Sequence, residues 1–256
     1  MKTQNDYAVK RPYLILILIE LALIVCVAGG SAYVSITEMT HPLAPFLGFV
    51  PIALFLLIYL SVTKRWSMFY FGSLRSLTAR QWADYLPLLL ILIVLMIANH
   101  GFQAQPASYF VYMLLSQLFL VGFVEETLFR GIMLRALMQK GKTIAVGVSS
   151  VLFGVTHALQ ALGGQSMQDT ILQIVYAFIL GFVLALLVAK NRAIWLTIIF
   201  HGLHNFINFT GNTPSTHIYD YLVIIILIVQ LVWLIVSGQR KAAALSPKSA
   251  RTTTAI

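Results

Sequence analysis

The 256-residue chain is too apolar for a water-soluble domain. Hydrophobic residues make up 59% of it and charged residues 10%, and the mean hydropathy is +0.88. Because a soluble domain carries roughly 25% charged residues, these values predict an integral membrane protein. The single cysteine, Cys26, lies in the first apolar run and excludes both a disulfide framework and a cysteine metal site.

Eight apolar runs follow in chain order, each near the length that crosses a bilayer. They predict an all-α, polytopic transmembrane helix bundle with spans near 13–36, 44–63, 85–104, 109–138, 143–160, 168–189, 193–209 and 219–237. The first run is too long for a removable signal peptide and is interpreted as an anchor. We treat 1–240 as a single transmembrane domain and the polar segment 241–256 as a disordered tail.

The basic residues test this arrangement, because Lys and Arg collect in short cytoplasmic loops. Fifteen of the 17 lie before the first run, after the last run or in every second loop. Arg135 lies at the end of the fourth run that adjoins such a loop, so only Arg130 is outside the predicted cytoplasmic segments. Both termini are therefore predicted to be cytoplasmic. The net charge of +9 is interpreted as an orientation signal with contact to anionic lipid, and no nucleic-acid partner is expected.

Charged side chains in the fourth run are candidate functional residues, since each one is costly in hydrocarbon. Glu126 and Arg130 have i,i+4 spacing and form a predicted ion pair, for which a purely structural role is an equal alternative. Glu125 projects about 100° away from Glu126. With no basic residue at i±3 or i±4, it is left free.

The helical hairpin around Gly141 brings an imidazole towards this glutamate. Glu125 is 16 residues before Gly141 and His157 is 16 residues after it. In regular helices both side chains are about 24 Å from the turn, so they can meet at one depth. Phe129 and Phe153 are predicted to face each other in the same hairpin.

The seventh run predicts a polar stripe at helical spacing, formed by His201, His204, Asn205 and Asn208. A glutamate can take a proton from water, an imidazole can transfer a proton or bind a metal, and an amide can donate to an oxyanion. This combination favours hydrolysis with water as the nucleophile. The sequence contains no serine-nucleophile elbow, no HExxH motif and no glycine-rich phosphate loop.

Three short motifs resemble those of one family. EETLFR at 125–130 resembles EExxxR, FGVTH at 153–157 resembles FxxxH, and HGLHN at 201–205 resembles HxxxN. Together they are similar to the CPBP family of CAAX prenyl proteases and bacteriocin-processing enzymes, also called the Abi family. The resemblance covers roughly 80–210. It implies an eight-helix intramembrane endopeptidase with a conical cavity open to the cytoplasm or the bilayer.

The resemblance also implies a role for each matched residue. Glu125 would activate water with help from His157, and His201 and Asn205 would stabilise the tetrahedral oxyanion. The residues expected to support the site are Glu126, Arg130 and Phe153.

Zinc is an open question. A catalytic zinc usually has three protein ligands plus water, and the candidate ligands are His157, His201 and Glu125. Because Glu125 and Glu126 point about 100° apart, one carboxylate is poorly placed to bind a metal while its neighbour acts as base. Metal-free activation of water by glutamate is therefore preferred, and a metal-assisted version is the alternative.

The predicted function is that of a multi-pass endopeptidase of the cell membrane. Its substrate would be a membrane-delivered peptide or protein, either prenylated and of CAAX type or bacteriocin-like. A non-proteolytic bacteriocin immunity or partner-binding membrane protein is one alternative. A proton-coupled transporter is another, since buried Glu, His and Asn also form proton relays. The sequence leaves the oligomeric state and the roles of His204 and Glu20 open.

Overall fold

The computed structural model describes residues 10–158, 166–212 and 217–245, the side chains of 240–245 excepted. These residues form eight helices: α1 Pro12–Thr37, α2 Phe49–Thr63, α3 Ala79–Ala98, α4 Ala107–Lys140, α5 Lys142–Thr156, α6 Met167–Asn191, α7 Ile194–Thr210 and α8 Ile218–Leu245. Apart from two isolated bridges, this part of the chain contains no β-structure. The all-α prediction is confirmed.

Five of the helices are long and apolar enough to cross a bilayer, namely α1, α3, α4, α6 and α8. Helices α2 and α5 have 15 residues each and α7 has 17. They are therefore about 22 to 26 Å long, which is shorter than a hydrocarbon core of roughly 30 Å. Each of the eight predicted runs corresponds to a helix, whereas eight membrane crossings remain a prediction.

The surface agrees with a membrane environment. Large apolar side chains are exposed along the helices, among them Ile17, Phe55, Ile93 and Val229. In water such a surface would be an aggregation liability, whereas lipid tails solvate it. The exposed apolar surface therefore indicates a membrane protein.

Several helix boundaries differ from the predicted ones. Helix α2 begins at Phe49 instead of 44, because Ala44–Phe46 form a separate 3-10 turn. Helix α3 ends at Ala98 instead of 104, and Gly101 follows with a φ of +96° that glycine adopts without strain. Helix α8 continues to Leu245, into the segment predicted as a tail. Residues 1–9, 159–165 and 246–256, on which parts of the predictions fall, lie outside the described residues.

Glycines bring α4 and α7 into close contact. A Cβ atom on Gly202 would lie 2.9 Å from the backbone oxygen of Gln117, and one on Gly122 would lie 3.1 Å from the backbone oxygen of Ile198. Distances this short leave no room for a side chain, and small residues are what allow helices in membranes to approach closely. The contact holds the polar stripe of α7 against the glutamates of α4.

Candidate active site

Helix α4 departs from regular geometry around its two glutamates. Ser116–Gly122 and Thr127–Met133 are π-helical, and only Phe123–Glu126 between them is α-helical. Wider turns of this kind occur often at functional sites, because they shift side chains away from the regular helical positions. The directions of Glu125 and Glu126 are therefore set by an irregular helix.

The ion pair expected from the i,i+4 spacing is present and completely buried. Arg130 Nη1 lies 3.0 Å from Glu126 Oε1, and both side chains are 0% exposed. The contact is an ion pair without the angles of a hydrogen bond. The guanidinium also lies over the ring of Phe153, 3.8 Å from its centroid. This cation–π contact places the charge of the pair against α5.

His201 connects the two glutamates. Its Nδ1 atom lies 3.0 Å from Glu126 Oε1, and its Nε2 atom lies 3.7 Å from Glu125 Oε2. Because the ionised Glu126 can only accept a hydrogen bond, Nδ1 carries the hydrogen. The second ring nitrogen is thereby directed towards Glu125. The contact with the fully buried Glu126 thus fixes the orientation of His201, and Nε2 faces the more accessible Glu125.

Glu125 is the more accessible of the two carboxylates. Its side chain is 14% exposed and lines the central cavity. Among the described residues, its Oε2 atom is buried and has no hydrogen-bond partner. Buried polar atoms are nearly always satisfied by protein or by ordered water, so this oxygen suits a water molecule or a substrate group in the cavity.

His157 directly follows α5 and lines the same cavity. Its Nδ1 atom lies 2.7 Å from the carbonyl oxygen of Phe153. A carbonyl only accepts, so Nδ1 donates and a neutral His157 keeps Nε2 as an acceptor. The ring of Phe153 lies 4.7 Å from His157 and 5.9 Å from His201, and it meets Phe129 edge-on at 5.1 Å as predicted.

Asn205 belongs to a chain of polar contacts that ends on α6. His204 Nδ1 lies 3.2 Å from Asn205 Oδ1, and His204 Nε2 lies 2.6 Å from the hydroxyl of Tyr176. If Nδ1 donates to the amide oxygen, Nε2 accepts from the Tyr176 hydroxyl, and each of these two contacts has one donor. Nε2 also lies 3.3 Å from the amide nitrogen of Asn208, which donates. The amide nitrogen of Asn205 then stays available to the cavity.

These side chains surround one cavity of about 1130 Å³. This volume exceeds the roughly 300–1,000 Å³ typical of small-molecule sites, so a peptide segment fits. The predicted residues on its wall are Glu125, Phe153, His157, His201 and Asn205. Glu126 and Arg130 do not line it and lie behind the wall, in contact with His201 and Phe153.

Among the wall residues that the prediction from sequence missed, three contribute polar groups close to the site, namely Gln117, Thr156 and Tyr176. Tyr176 follows Asp169 and Gln173 at helical spacing on α6, and Gln117 precedes Glu125 by two turns on α4, so periodicity could have found both. Thr156 had no such signal. Its hydroxyl donates to Glu20 Oε2 at 3.0 Å, which supplies the partner that the sequence could not name.

The geometry brings all three motifs to one cavity, and the same segment matches a known family. Residues 106–207 match the Rce1-like family, type II CAAX prenyl endopeptidase Rce1-like. The matched segment contains every motif residue from Glu125 to Asn205, and the resemblance to CPBP proteases is confirmed. No curated protein matches the chain. The Rce1-like match and the apolar helices support a membrane-associated protease with a peptide substrate.

A three-ligand metal site does not fit this Rce1-like segment. Glu125 Oε2 and His201 Nε2 are close enough to share an ion, at 3.7 Å from each other. However, the described residues contain no group of three His, Cys, Asp or Glu side chains arranged to hold one. We therefore derive no chemical step through a metal.

Proposed function

We propose that the protein is an intramembrane endopeptidase that hydrolyses a peptide bond with a water molecule activated by Glu125. The observation that carries the proposal is the Oε2 atom of Glu125, which is buried, unpartnered among the described residues and 3.7 Å from His201 Nε2. A carboxylate in this setting can hold a water and accept its proton. The Rce1-like match independently favours peptide hydrolysis.

The first chemical step is the attack of water. Glu125 takes one proton from the water, and the oxygen of that water bonds to the carbonyl carbon of the substrate. The free Nε2 atom of His157 accepts a hydrogen bond from the same water, which orients it. When the carbon–nitrogen bond breaks, Glu125 returns the proton to the leaving nitrogen.

The negative charge on the carbonyl oxygen is stabilised from α7. Asn205 donates from its amide nitrogen, and a protonated His201 donates from Nε2 while Nδ1 stays bound to Glu126. Donors that are fixed before the reaction stabilise the developing charge at little reorganisation cost. Glu126 and Arg130 keep His201 in this orientation.

For the arrangement in the membrane we propose eight crossings in the cell membrane with both termini in the cytoplasm. The basic residues support this orientation, since in the sequence those outside the apolar runs occur only before the first run, after the last run and in every second loop. Crossing helices shorter than the hydrocarbon core are accommodated by thinning the bilayer or by packing against neighbours.

The test is a survey of peptide termini in membranes that contain the wild type or the Glu125→Gln variant. Glutamine keeps the shape of the side chain and removes the base. As a matched control, Glu38→Gln makes the same change at an exposed position that does not line the cavity. New termini are expected with the wild type and with Glu38→Gln, and none with Glu125→Gln.

Identical termini for all three proteins would show that hydrolysis is the wrong function. If the wild type and Glu125→Gln then gave equal resistance to a toxic peptide, a binding or immunity function would replace it. Termini that disappear only with Glu125→Gln would also identify the substrates, including whether they are prenylated.

A further inference from the structure

The cavity occupies one half of the bundle. Each helix has one end beside basic residues and one end beside a loop that has no Lys or Arg. On α6 the wall residues run from Asp169 to Leu180, whereas Lys190 marks the basic end. On α7 they begin only at His201 and continue to Phe209, in the half away from Arg192.

The helices on either side follow the same rule. Helix α5 begins at Lys142 at the basic end and contributes wall residues only from Phe153 onwards, at its other end. Helix α8 contributes only from its first two turns, up to Ile224. The cavity therefore begins near Glu125, about halfway along α4, and reaches exposed residues at the end without basic loops, among them Ser31, Asn208 and His217.

The position of the cavity determines the side of the membrane from which a substrate can reach it. Basic loops lie in the cytoplasm, so in the proposed orientation the cavity end of the bundle is on the opposite side. Four sequence segments follow or precede the helix ends on the cavity side, namely 38–48, 99–106, 157–166 and 211–217, and none contains Lys or Arg. We propose that the substrate enters from the non-cytoplasmic side of the membrane. A cytoplasmic segment would instead meet the end of the bundle that contributes none of the described wall residues. This route differs from the opening to the cytoplasm or the bilayer that the family resemblance implies.

The charge of the wall indicates the kind of peptide that enters. Its described residues include three carboxylates, Glu125, Asp169 and Asp220, and no Lys or Arg. His217 contacts both aspartates, at 3.8 Å from Asp169 and 2.9 Å from Asp220, and is the nearest described group that can offset their charge. A cleft in which carboxylates outnumber permanent cations raises the local concentration of positive charge. The occupant is thus an exported or extracellular peptide segment that carries basic residues.

The side of access rests on the position of the cavity and on the proposed membrane orientation, and the charge rests on the wall residues. Cleavage of the peptide that enters rests on the proposed hydrolytic function. Access and cleavage can fail separately. An open outward cavity without hydrolysis would leave the access route intact, and a cytoplasmic opening with hydrolysis would overturn it.

The test is labelling of single cysteines in the full-length protein with membrane-impermeant thiol reagents. Cys26→Ser removes the one native thiol. Ser31→Cys and Asn208→Cys then report on the cavity from α1 and α7. Thr40→Cys marks the exposed loop without basic residues, and Lys140→Cys marks the exposed basic end.

In intact cells the reagent should label both cavity cysteines and Thr40→Cys but not Lys140→Cys, and inverted vesicles should give the opposite pattern. A trimethylammonium reagent should react with Asn208→Cys about fivefold faster than a sulfonate reagent of the same reactivity, after normalisation to Thr40→Cys. Cavity labelling only from the side that labels Lys140→Cys overturns the proposal. The proposal is also overturned if the cavity cysteines are labelled neither in intact cells nor in inverted vesicles. Equal rates for the two reagents would overturn the prediction that the peptide is basic.

Discussion

Arg130 lies over the ring of Phe153, with 3.8 Å between the guanidinium carbon and the ring centroid. The two residues come from α4 and α5 and from two different motifs. Because Arg130 also pairs with Glu126, and Glu126 with His201, this contact belongs to a buried set of interactions that joins three helices. Such a set must be complete, since a buried charge without its partner is strongly destabilising.

Glu126→Gln should therefore lower stability far more than Glu125→Gln. The change leaves Arg130 charged, fully buried and unpaired, which costs about 3–5 kcal/mol. Glu125 has no such pair, so its replacement should change stability by less than about 1 kcal/mol. The measurement is thermal unfolding of the two detergent-solubilised variants beside the wild type.

Removing both charges provides the control for this experiment. Glu126→Gln combined with Arg130→Met should recover part of the lost stability, because no unpaired charge remains. Equal unfolding temperatures for Glu126→Gln and the wild type would contradict the buried ion pair.

Tyr176→Phe should reduce turnover without changing substrate binding. It removes the hydroxyl that lies 2.6 Å from His204 Nε2 and keeps the ring that stacks on the histidine. Loss of one neutral hydrogen bond predicts a decrease of about 2- to 12-fold in kcat. The readout is kcat and KM on a peptide found in the survey of termini.

The matched control is Tyr33→Phe, which makes the same change at an exposed position outside the cavity. A rise in KM with kcat unchanged would show that Tyr176 does not act through His204 and Asn205. Equal effects of both variants on kcat would show the same.

Metal chelation should leave the activity unchanged. Among the described residues of the candidate site, Glu125 and His201 lie close enough to share a metal ion, but no group of three possible ligands is present. A structural or catalytic zinc normally needs more protein ligands than this. Purified enzyme is assayed after treatment with a zinc chelator, then after added zinc. Activity lost to the chelator and restored by zinc would establish the metal-assisted alternative.

Gly202→Ala should impair both stability and hydrolysis. The new methyl group would lie 2.9 Å from the backbone oxygen of Gln117, so α7 must move away from α4 and carry His201 with it. Overpacking of this kind typically costs about 1–3 kcal/mol. Unfolding temperature and the number of new peptide termini are the two measurements.

Gly147→Ala is the corresponding control within α5, because nothing lies within 4 Å of its added methyl group. Alanine there should be neutral or slightly stabilising, as expected inside a helix. Similar losses for both glycine variants would argue against the specific contact between α4 and α7.

The sequence alone determined the class of the protein and much of its local geometry. Composition identified a membrane bundle, and i,i+4 spacing identified the pair of Glu126 and Arg130. Equal counts from Gly141 correctly brought Phe129 against Phe153. These features depend on the bilayer as solvent or on neighbours within one helix or hairpin, so a pattern along the chain is sufficient to predict them.

Only the tertiary structure decided how the helices complete the site. His201 is 75 residues from Glu126, and its bridge between the two glutamates depends on the close approach at Gly122 and Gly202. The π-helical turns of α4, the link from Tyr176 to Asn205 and the half of the bundle that contains the cavity had no equivalent in the periodicity. They arise from packing between helices distant in sequence, where side-chain volume and backbone irregularity set the direction of each polar group.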